Sequence, residues 1–422
     1  MKFGVVLKRF EGNPILAPQP KHWWESKAVF NPGALYEGGK VHLVYRAIGD
    51  SDVSVFGYAS SANGFQIGER LNEPIYVPRE PFEGAGMLST TPSEPEVSYI
   101  LQEEEDSYVS GGGRGGCEDP RLTRIGDRIF MTYVAFDGYS PPRVALTSIQ
   151  AEDFLAHRWQ WRRPVLISPP GVVDKNACIL PEKINSKFVI FHRIFPNILI
   201  DFVDDLDYFD GASRWLKGEF RIRPRASSWD SRKIGGGAPP IKTKDGWLFI
   251  YHAVGNQDPG RYKMGAMLLD LKNPTRVLFR SKEPILEPMA WYESEGWKGG
   301  VIYPCGAVVI GGRLLVYYGG GDKVTCLASA KLDELLNHLV GRREAVPAPA
   351  YAPPAKAVHA PPAKAAITPP TPILKQIRAY CMRCRAKREM KNPVAVTMKN
   401  GRRAVQGTCS KCGSKMSQMM KI

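Results

Sequence analysis

Five stretches of the 422-residue chain repeat one design: a Gly, Asn or Asp turn, a basic or polar residue, then an apolar run ending in aromatics. They are Gly38–Tyr45, Gly126–Tyr133, Asn185–Phe191, Lys244–Tyr251 and Gly311–Tyr317. Short runs rich in Val, Ile, Phe and Tyr, bounded by turn residues, predict β-strands. The closing aromatics, Tyr45, Tyr133, Phe191, Tyr251 and Tyr317, are spaced by 88, 58, 60 and 66 residues. Repeats of that size hold several short strands each. They predict an all-β body, a five-bladed β-propeller, with a β-sandwich of unrelated hairpins as the alternative. The residues after the runs are polar: Arg46, His192-Arg193, His252 and Asp322. In a propeller the equivalent strand ends meet around one funnel.

The long first interval holds an acidic, Gly-rich insertion, Ser93–Gly116, which reads as a loop. After Leu335 the chain changes character. Residues 344–374 are Ala/Pro-rich and carry Pro-Pro-Ala-Lys twice, at Pro353–Lys356 and Pro361–Lys364. Such a stretch cannot bury a core and predicts a semi-rigid linker. It separates a body, 1–343, from a basic module, 375–422. The net charge of +15 divides the same way: from Glu344 onward there are 15 Lys/Arg and 2 acidic residues, against 42 and 40 before it. The body is close to neutral. Any polyanion or protein contact driven by charge therefore belongs to the tail, as a weak, salt-sensitive one, the alternative being a merely solvated basic ribbon.

Cys381-x-x-Cys384 and Cys409-x-x-Cys412 stand 24 residues apart in that module. Two such knuckles predict a structural zinc held by four thiolates in a zinc-ribbon-like domain, and a module of about 45 residues needs such a staple. A redox pair is the alternative, but no thioredoxin-like unit surrounds it. Cys117, Cys178, Cys305 and Cys326 are scattered without a framework, which predicts packed free thiols and a cytoplasmic protein. The apolar run Phe3–Leu7 is too short for a signal peptide, and no stretch reaches membrane-spanning length. No membrane partner is expected.

The chemistry centres on Gly116-Cys117-Glu118-Asp119-Pro120-Arg121. Two adjacent carboxylates precede a proline, which disfavours helix and predicts an extended backbone at Asp119. Extended backbone sends Glu118 and Asp119 to opposite faces, one toward a cavity and one toward an arginine. A salt-bridged turn is the plainer reading of these six residues. Trp23, Trp24, Trp291 and Trp297 are candidate stacking platforms, with packing as the alternative for each.

Taken together with Asn31-Pro32-Gly33-Ala34, Val44-Tyr45-Arg46-Ala47, Leu180-Pro181-Glu182-Lys183-Ile184, His192-Arg193, Lys233–Gly237, Gly246-Trp247, Tyr251-His252 and Tyr318–Asp322, the motif resembles glycoside hydrolase family 130, in family order over about residues 10–340. The resemblance implies an inverting β-mannoside phosphorylase with phosphate as co-substrate, no organic cofactor, and α-mannose 1-phosphate as product. It implies Asp119 as general acid, acting through a hydroxyl of the bound sugar. It implies sugar contacts from Asn31, Arg46, Lys233, Tyr262 and Asp322, and phosphate contacts from Lys175, Arg193 and His252. The chain departs from the family's common Lys-Asp-Ala at Lys175-Asn176-Ala177. Physical chemistry agrees with the division of labour. An inverting hydrolase needs a second carboxylate to activate water, whereas phosphate is itself the nucleophile and needs cations around it. The alternatives are a hydrolase with Glu182, Glu295 or another acid as base, and a carbohydrate-binding propeller without catalysis.

Overall fold

The apolar runs form long strands because their side chains are buried on both faces. Lys40–Ile48 is buried from its second residue to its last, and Gly246–Val254 throughout. The computed structural model describes residues 7–89, 111–341, 378–381, 383–384, 386–397 and 403–419. Most of the 93–116 insertion and all of the 344–374 linker lie outside the described residues. The chain divides into two units, Met1–Val346 and Pro347–Ile422.

The first unit is built from antiparallel meanders. Ala28–Glu37, Lys40–Ile48, Val53–Ser61 and Glu69–Arg70 pair in sequence, as do Gly115–Ile125, Arg128–Phe136, Arg143–Gln150 and Val165–Leu166. A short parallel contact, Val53 with Gly115 and Ser54 with Gly116, joins the two into an eight-stranded sheet. Lys175–Ile179, Phe188–Ile194, Asn197–Val203 and Phe220–Ile222 form the next sheet. Lys233–Gly236, Gly246–Val254, Lys263–Leu269 and Val277–Arg280 form another, with Ile241–Thr243 beside its second strand. Ile302–Ile310, Arg313–Gly320 and Val324–Lys331 form the last, and Lys8–Arg9 adds its outer strand by pairing with Ser329 and Ala328. The two ends of the unit are thus hydrogen-bonded into one sheet. Among the described residues no sheet closes on itself, and α-helix is confined to Ala151–Leu155 and Leu332–Val340. No described helix is long and apolar enough to cross a membrane.

The register aligns the meanders with one another. After an irregularity in the first strand, Gly33 faces Val44, Arg121 faces Thr132, Cys178 faces Phe191 and Gly306 faces Tyr317. The next residue of each second strand is Tyr45, Tyr133, His192 and Tyr318, with Tyr251 opposite Gly236 in the remaining sheet. Two of the five repeat-closing aromatics are therefore shifted: His192 and Tyr318, not Phe191 and Tyr317, occupy the common position. What defines that position is a polar tip. Each of the five side chains meets a fully buried carboxylate: Tyr45 Oη with Glu25 (2.8 Å), Tyr133 with Glu83, His192 Nδ1 with Asp174 (2.6 Å), Tyr251 with Asp230 (2.9 Å) and Tyr318 with Glu293 (2.9 Å). A buried carboxylate is tolerated only when its oxygens are satisfied. Glu83 also accepts from Tyr76 Oη and from the backbone of Arg79 and Glu80, and Glu293 from Arg9 and the backbone of Met289 and Ala290.

His192 makes one of these contacts sensitive to pH. Burial would lower its pKa, but Asp174 on one nitrogen and Asp201 on the other (2.9 Å) outweigh burial and raise it to about 9. A group whose folded pKa is raised stabilises the fold below its unfolded value, about 6.5, and that contribution is lost as pH rises through the folded value. Urea unfolding is therefore expected to show stability declining between pH 6.5 and about 9. His192→Gln should flatten that decline, and an unchanged slope would assign it elsewhere.

The four body cysteines are buried and free, as expected. Burial, with Glu83 beside it, raises the Cys117 thiol well above its ordinary range, so it packs and does not attack. The second unit is a small antiparallel sheet of Arg378–Cys381, Ala386–Thr397, Arg403–Cys409 and Lys415–Met419.

Candidate active site

The site is built where the first strands of the meanders bulge. Asn31, Asp119 and Asn176 lie at their register shifts with φ of +50°, +52° and +60°. This corrects the expectation of an extended Asp119. Proline excludes the right-handed helical region for the residue before it, and here the bulge selects the left-handed one, which Asp and Asn tolerate best after Gly. Glu118 and Asp119 are not divided between a cavity and an arginine. Both lie beside Arg46, whose guanidinium donates to Glu118 Oε1 (3.0 Å) and stands 3.6 Å from Asp119 Oδ1. Asn31 Nδ2 donates to the same Asp119 oxygen at 2.7 Å. Arg121 donates to the Asp119 carbonyl (2.7 Å) and to Gly237 O (3.1 Å), which ties the acid's backbone to the neighbouring sheet.

Arg46, Val134, Arg193, His252 and Gly319 share one register position, directly after the carboxylate-bound residues. Alternation turns this position away from the buried carboxylates, so of the polar strand ends noted in the sequence Arg46, Arg193 and His252 share one face, whereas His192 turns to Asp174 and Asp322 lies beyond its strand. Arg193 donates to Asn176 Oδ1 (2.8 Å), and Asn176 donates to Tyr303 Oη. Tyr303 lies 4.4 Å from His252 between ring centroids, Tyr262 stacks on His252 at 5.9 Å, and the two tyrosine rings are 6.2 Å from each other, so the three rings form one cluster. Two ammonium groups lie over Tyr262: Lys233 at 5.2 Å and Lys298 at 4.7 Å from its centroid. A side-chain carbon at Gly235 would fall 2.5 Å from the His252 ring and 2.6 Å from Asn176 Oδ1, so glycine is what lets the cluster close.

The site residues therefore sort into two groups. Asn31, Arg46, Glu118 and Asp119 form one, with Lys175 Nζ 3.9 Å from Glu118 Oε2. Arg193, His252, Tyr262 and Lys233 form the other. The sequence reading put Lys175 with the second and Lys233 and Tyr262 with the first. It did not single out Lys298 or Tyr303, and it noted Asn176 only as a departure from the family pattern; none of the three sits in an apolar run with a polar end. Glu182 pairs with Lys242 on the surface, beyond the strand Lys175–Ile179, and Glu295 is exposed. Trp24 is packed, its indole donating to Asn72 O, whereas Trp23, Trp291 and Trp297 are exposed.

Electrostatics differ between the groups. Burial, then Arg193, Arg121 and Lys233, hold His252 well below its ordinary pKa, so the imidazole is neutral, not the cation expected. Its Nδ1 has no hydrogen-bond partner among the described residues. Burial would raise the Tyr262 phenol, but Lys233 and Lys298 outweigh it and bring the pKa down. Burial lowers Lys175, and Arg193 adds to the effect against Glu118. Asp322, at φ +54°, is raised to about 6 by burial and by Asp119, against Arg46 and Lys298.

Residues 7–340 match the family model described as beta-1,4-mannooligosaccharide phosphorylase, Glyco_hydro_130. The chain belongs to glycoside hydrolase family 130. It is 36% identical over 329 residues to a beta-1,2-mannobiose phosphorylase of Thermoanaerobacter sp. (strain X514), covering 75% of this chain and 94% of that one. A 1,2-beta-oligomannan phosphorylase of the same strain is 34% identical over 338 residues, covering 78% and 99%. The solved structure of a beta-1,2-mannobiose phosphorylase from Listeria innocua, in complex with beta-1,2-mannobiose, superposes with a TM-score of 0.59 at 26% identity, covering 79% and 99%. Residues 380–419 match a family model described only as a domain of unknown function. The family 130 match thus ends before the basic module begins.

Proposed function

We propose that this family 130 chain is an inverting phosphorylase of β-mannosides, with β-1,2-linked mannose as the favoured linkage. The observation that carries the reading is the second group: Arg193 and Lys233 around a neutral His252 whose Nδ1 lacks a partner among the described residues, with Lys298 over the adjoining Tyr262. Among the described residues no carboxylate lies within ion-pair distance of Arg193 or Lys298. Such a cluster suits a dianion and does not activate water. Phosphate oxygen would attack the anomeric carbon there while the bond to the leaving sugar breaks. Asp119 would supply the proton that the departing glycosidic oxygen takes up, through a sugar hydroxyl, with Asn31, Arg46 and Asp322 holding the sugar. The proton lost from monohydrogen phosphate restores the acid through solvent. Lys233 and Tyr262 serve the phosphate on this reading, and Lys175 tunes the acid pair through Glu118. The test is β-1,2-mannobiose with and without phosphate, followed by NMR. α-Mannose 1-phosphate is the expected product, and mannose released equally fast without phosphate would sink the proposal.

The sheets support a five-bladed arrangement. Ala28–Glu37 packs against both Gly115–Ile125 and Ile302–Ile310, Lys175–Ile179 against Gly115–Ile125 and Lys233–Gly236, and five equivalent carboxylate contacts recur.

For the module the reading is a structural zinc. The Cys384, Cys409 and Cys412 sulfurs lie within 4.8 Å of one another, and Cys384 and Cys409 are 3.9 Å apart. Sulfurs on one tetrahedral zinc are separated by about 3.8 Å, so the set fits. Cys381 ends the strand paired at Ala386 in the same knuckle and is the fourth candidate. One zinc per chain is expected by atomic emission. A chelator should unfold the module while phosphorolysis by the body persists. Activity lost with the metal would overturn that independence.

A further inference from the structure

The geometry points to Trp297 as the stacking platform for the leaving sugar, a specificity-determining residue that rests on the phosphorolysis reading above. Its neighbours place it on the acid's side. Three consecutive glycines lie flat between the Arg46 guanidinium and the Trp297 indole. A side-chain carbon at Gly111 would fall 3.1 Å from Arg46 Nη1, one at Gly113 would fall 3.1 Å from Arg46 Nη2, and one at Gly112 would fall 2.4 Å from Trp297 Cδ2. The indole is therefore one loop's width from the guanidinium that holds Glu118 and Asp119. Because Cδ2 is a ring-fusion atom, Gly112 covers one indole face. Trp297 is nevertheless 52% exposed, which leaves the indole's other face and edge to solvent.

An open aromatic face beside a polar site suits a hexose, whose axial C–H bonds pack on a ring while its hydroxyls keep their partners. In inversion the nucleophile and the leaving group lie on opposite faces of the anomeric carbon. Lys298, the next residue, donates to Tyr262 Oη (3.5 Å) in the phosphate group. One short segment thus contributes to both sides: Lys298 to the nucleophile and Trp297 to the leaving sugar. The ligand class is a β-linked mannose residue or chain beyond the scissile bond.

The experiment separates the platform from turnover. β-1,2-Mannotriose is titrated calorimetrically into Asp119→Asn, with and without Trp297→Ala, Trp297→Leu or Trp297→Phe. Loss of the ring is expected to weaken binding about tenfold, while Trp297→Phe retains most of it. In the synthetic direction, with Asp119 intact, Trp297→Ala should raise KM for a mannose acceptor about tenfold. KM for phosphate in phosphorolysis should not move. Affinity and acceptor KM within about twofold of the parent in the folded Leu and Ala variants would overturn the inference. If wild-type protein makes no mannose 1-phosphate yet affinity still depends on Trp297, the platform stands and the phosphorylase reading falls.

Discussion

Asp119→Asn is expected to lower turnover by roughly 10²–10⁴-fold, the range for loss of a general acid. The fold should survive it. Asn keeps an oxygen to accept from Asn31 Nδ2, and it tolerates the left-handed backbone at φ +52° as well as Asp does. The cost is chemical: an amide cannot give up a proton at neutral pH, whereas the carboxyl beside Arg46 can cycle. Steady-state kinetics with β-1,2-mannobiose and phosphate measure the loss, and calorimetry should find substrate still bound. Asp322 is the control. Burial and Asp119 raise its pKa to about 6, so it holds a proton closer to neutrality than an ordinary carboxyl does. Near-normal turnover by Asp119→Asn, with a collapse in Asp322→Asn, would move the acid to Asp322.

Much of the body was legible because its signals are local. A turn, a polar residue and an apolar run specify a strand wherever they occur, so the five second strands could be read directly. The polar residues at their ends were legible for the same reason, and Arg46, Arg193 and His252 do share a register position. The bulges were not. A φ of +52° at Asp119 depends on the two-against-one pairing with the next strand, which no proline rule anticipates.

Long-range pairs were hidden as well. Glu83 and Glu293 each follow a Glu-Pro-Ile, Glu73–Ile75 and Glu283–Ile285, by the same ten residues. That repeat was available, but nothing local says that a carboxylate so placed is fully buried against a tyrosine 25 to 50 residues away. Lys298 and Tyr303 illustrate a third limit. Lys298 lies on an irregular segment, and it reaches the site only because its backbone N–H donates to Gly321 O, beside Asp322. Tyr303 enters through the register of its strand, opposite Gly319. The two Cys-x-x-Cys knuckles were the opposite case. Their spacing alone predicts the cluster, and Cys384, Cys409 and Cys412 come together.

The second large effect concerns phosphate. Arg193→Ala and His252→Ala should raise KM for phosphate roughly 30- to 1,000-fold, the counterpart of about 2–4 kcal/mol for removing one partner of a buried charged contact. Arg193 is 7% exposed and braced by Asn176, so its fork is preorganised for an anion. His252 acts differently. Held neutral by burial and its cationic neighbours, it offers a hydrogen bond in the absence of a dianion. Bound phosphate would favour protonating it, so phosphate affinity in wild-type protein should strengthen as pH falls toward the ordinary histidine value, about 6.5. His252→Ala should abolish that trend. Lys298 is exposed, so solvent screens it, and Lys298→Ala should cost only up to about fivefold. Mannoside binding is the discriminating readout, since on the proposed reading these residues face the nucleophile. Phosphate is varied at saturating β-1,2-mannobiose, and the mannoside is then titrated into each variant. A selective rise in the phosphate requirement supports the anion cluster. An equal loss of mannoside affinity would mean that Arg193 and His252 hold the sugar, and the nucleophile would have to enter elsewhere.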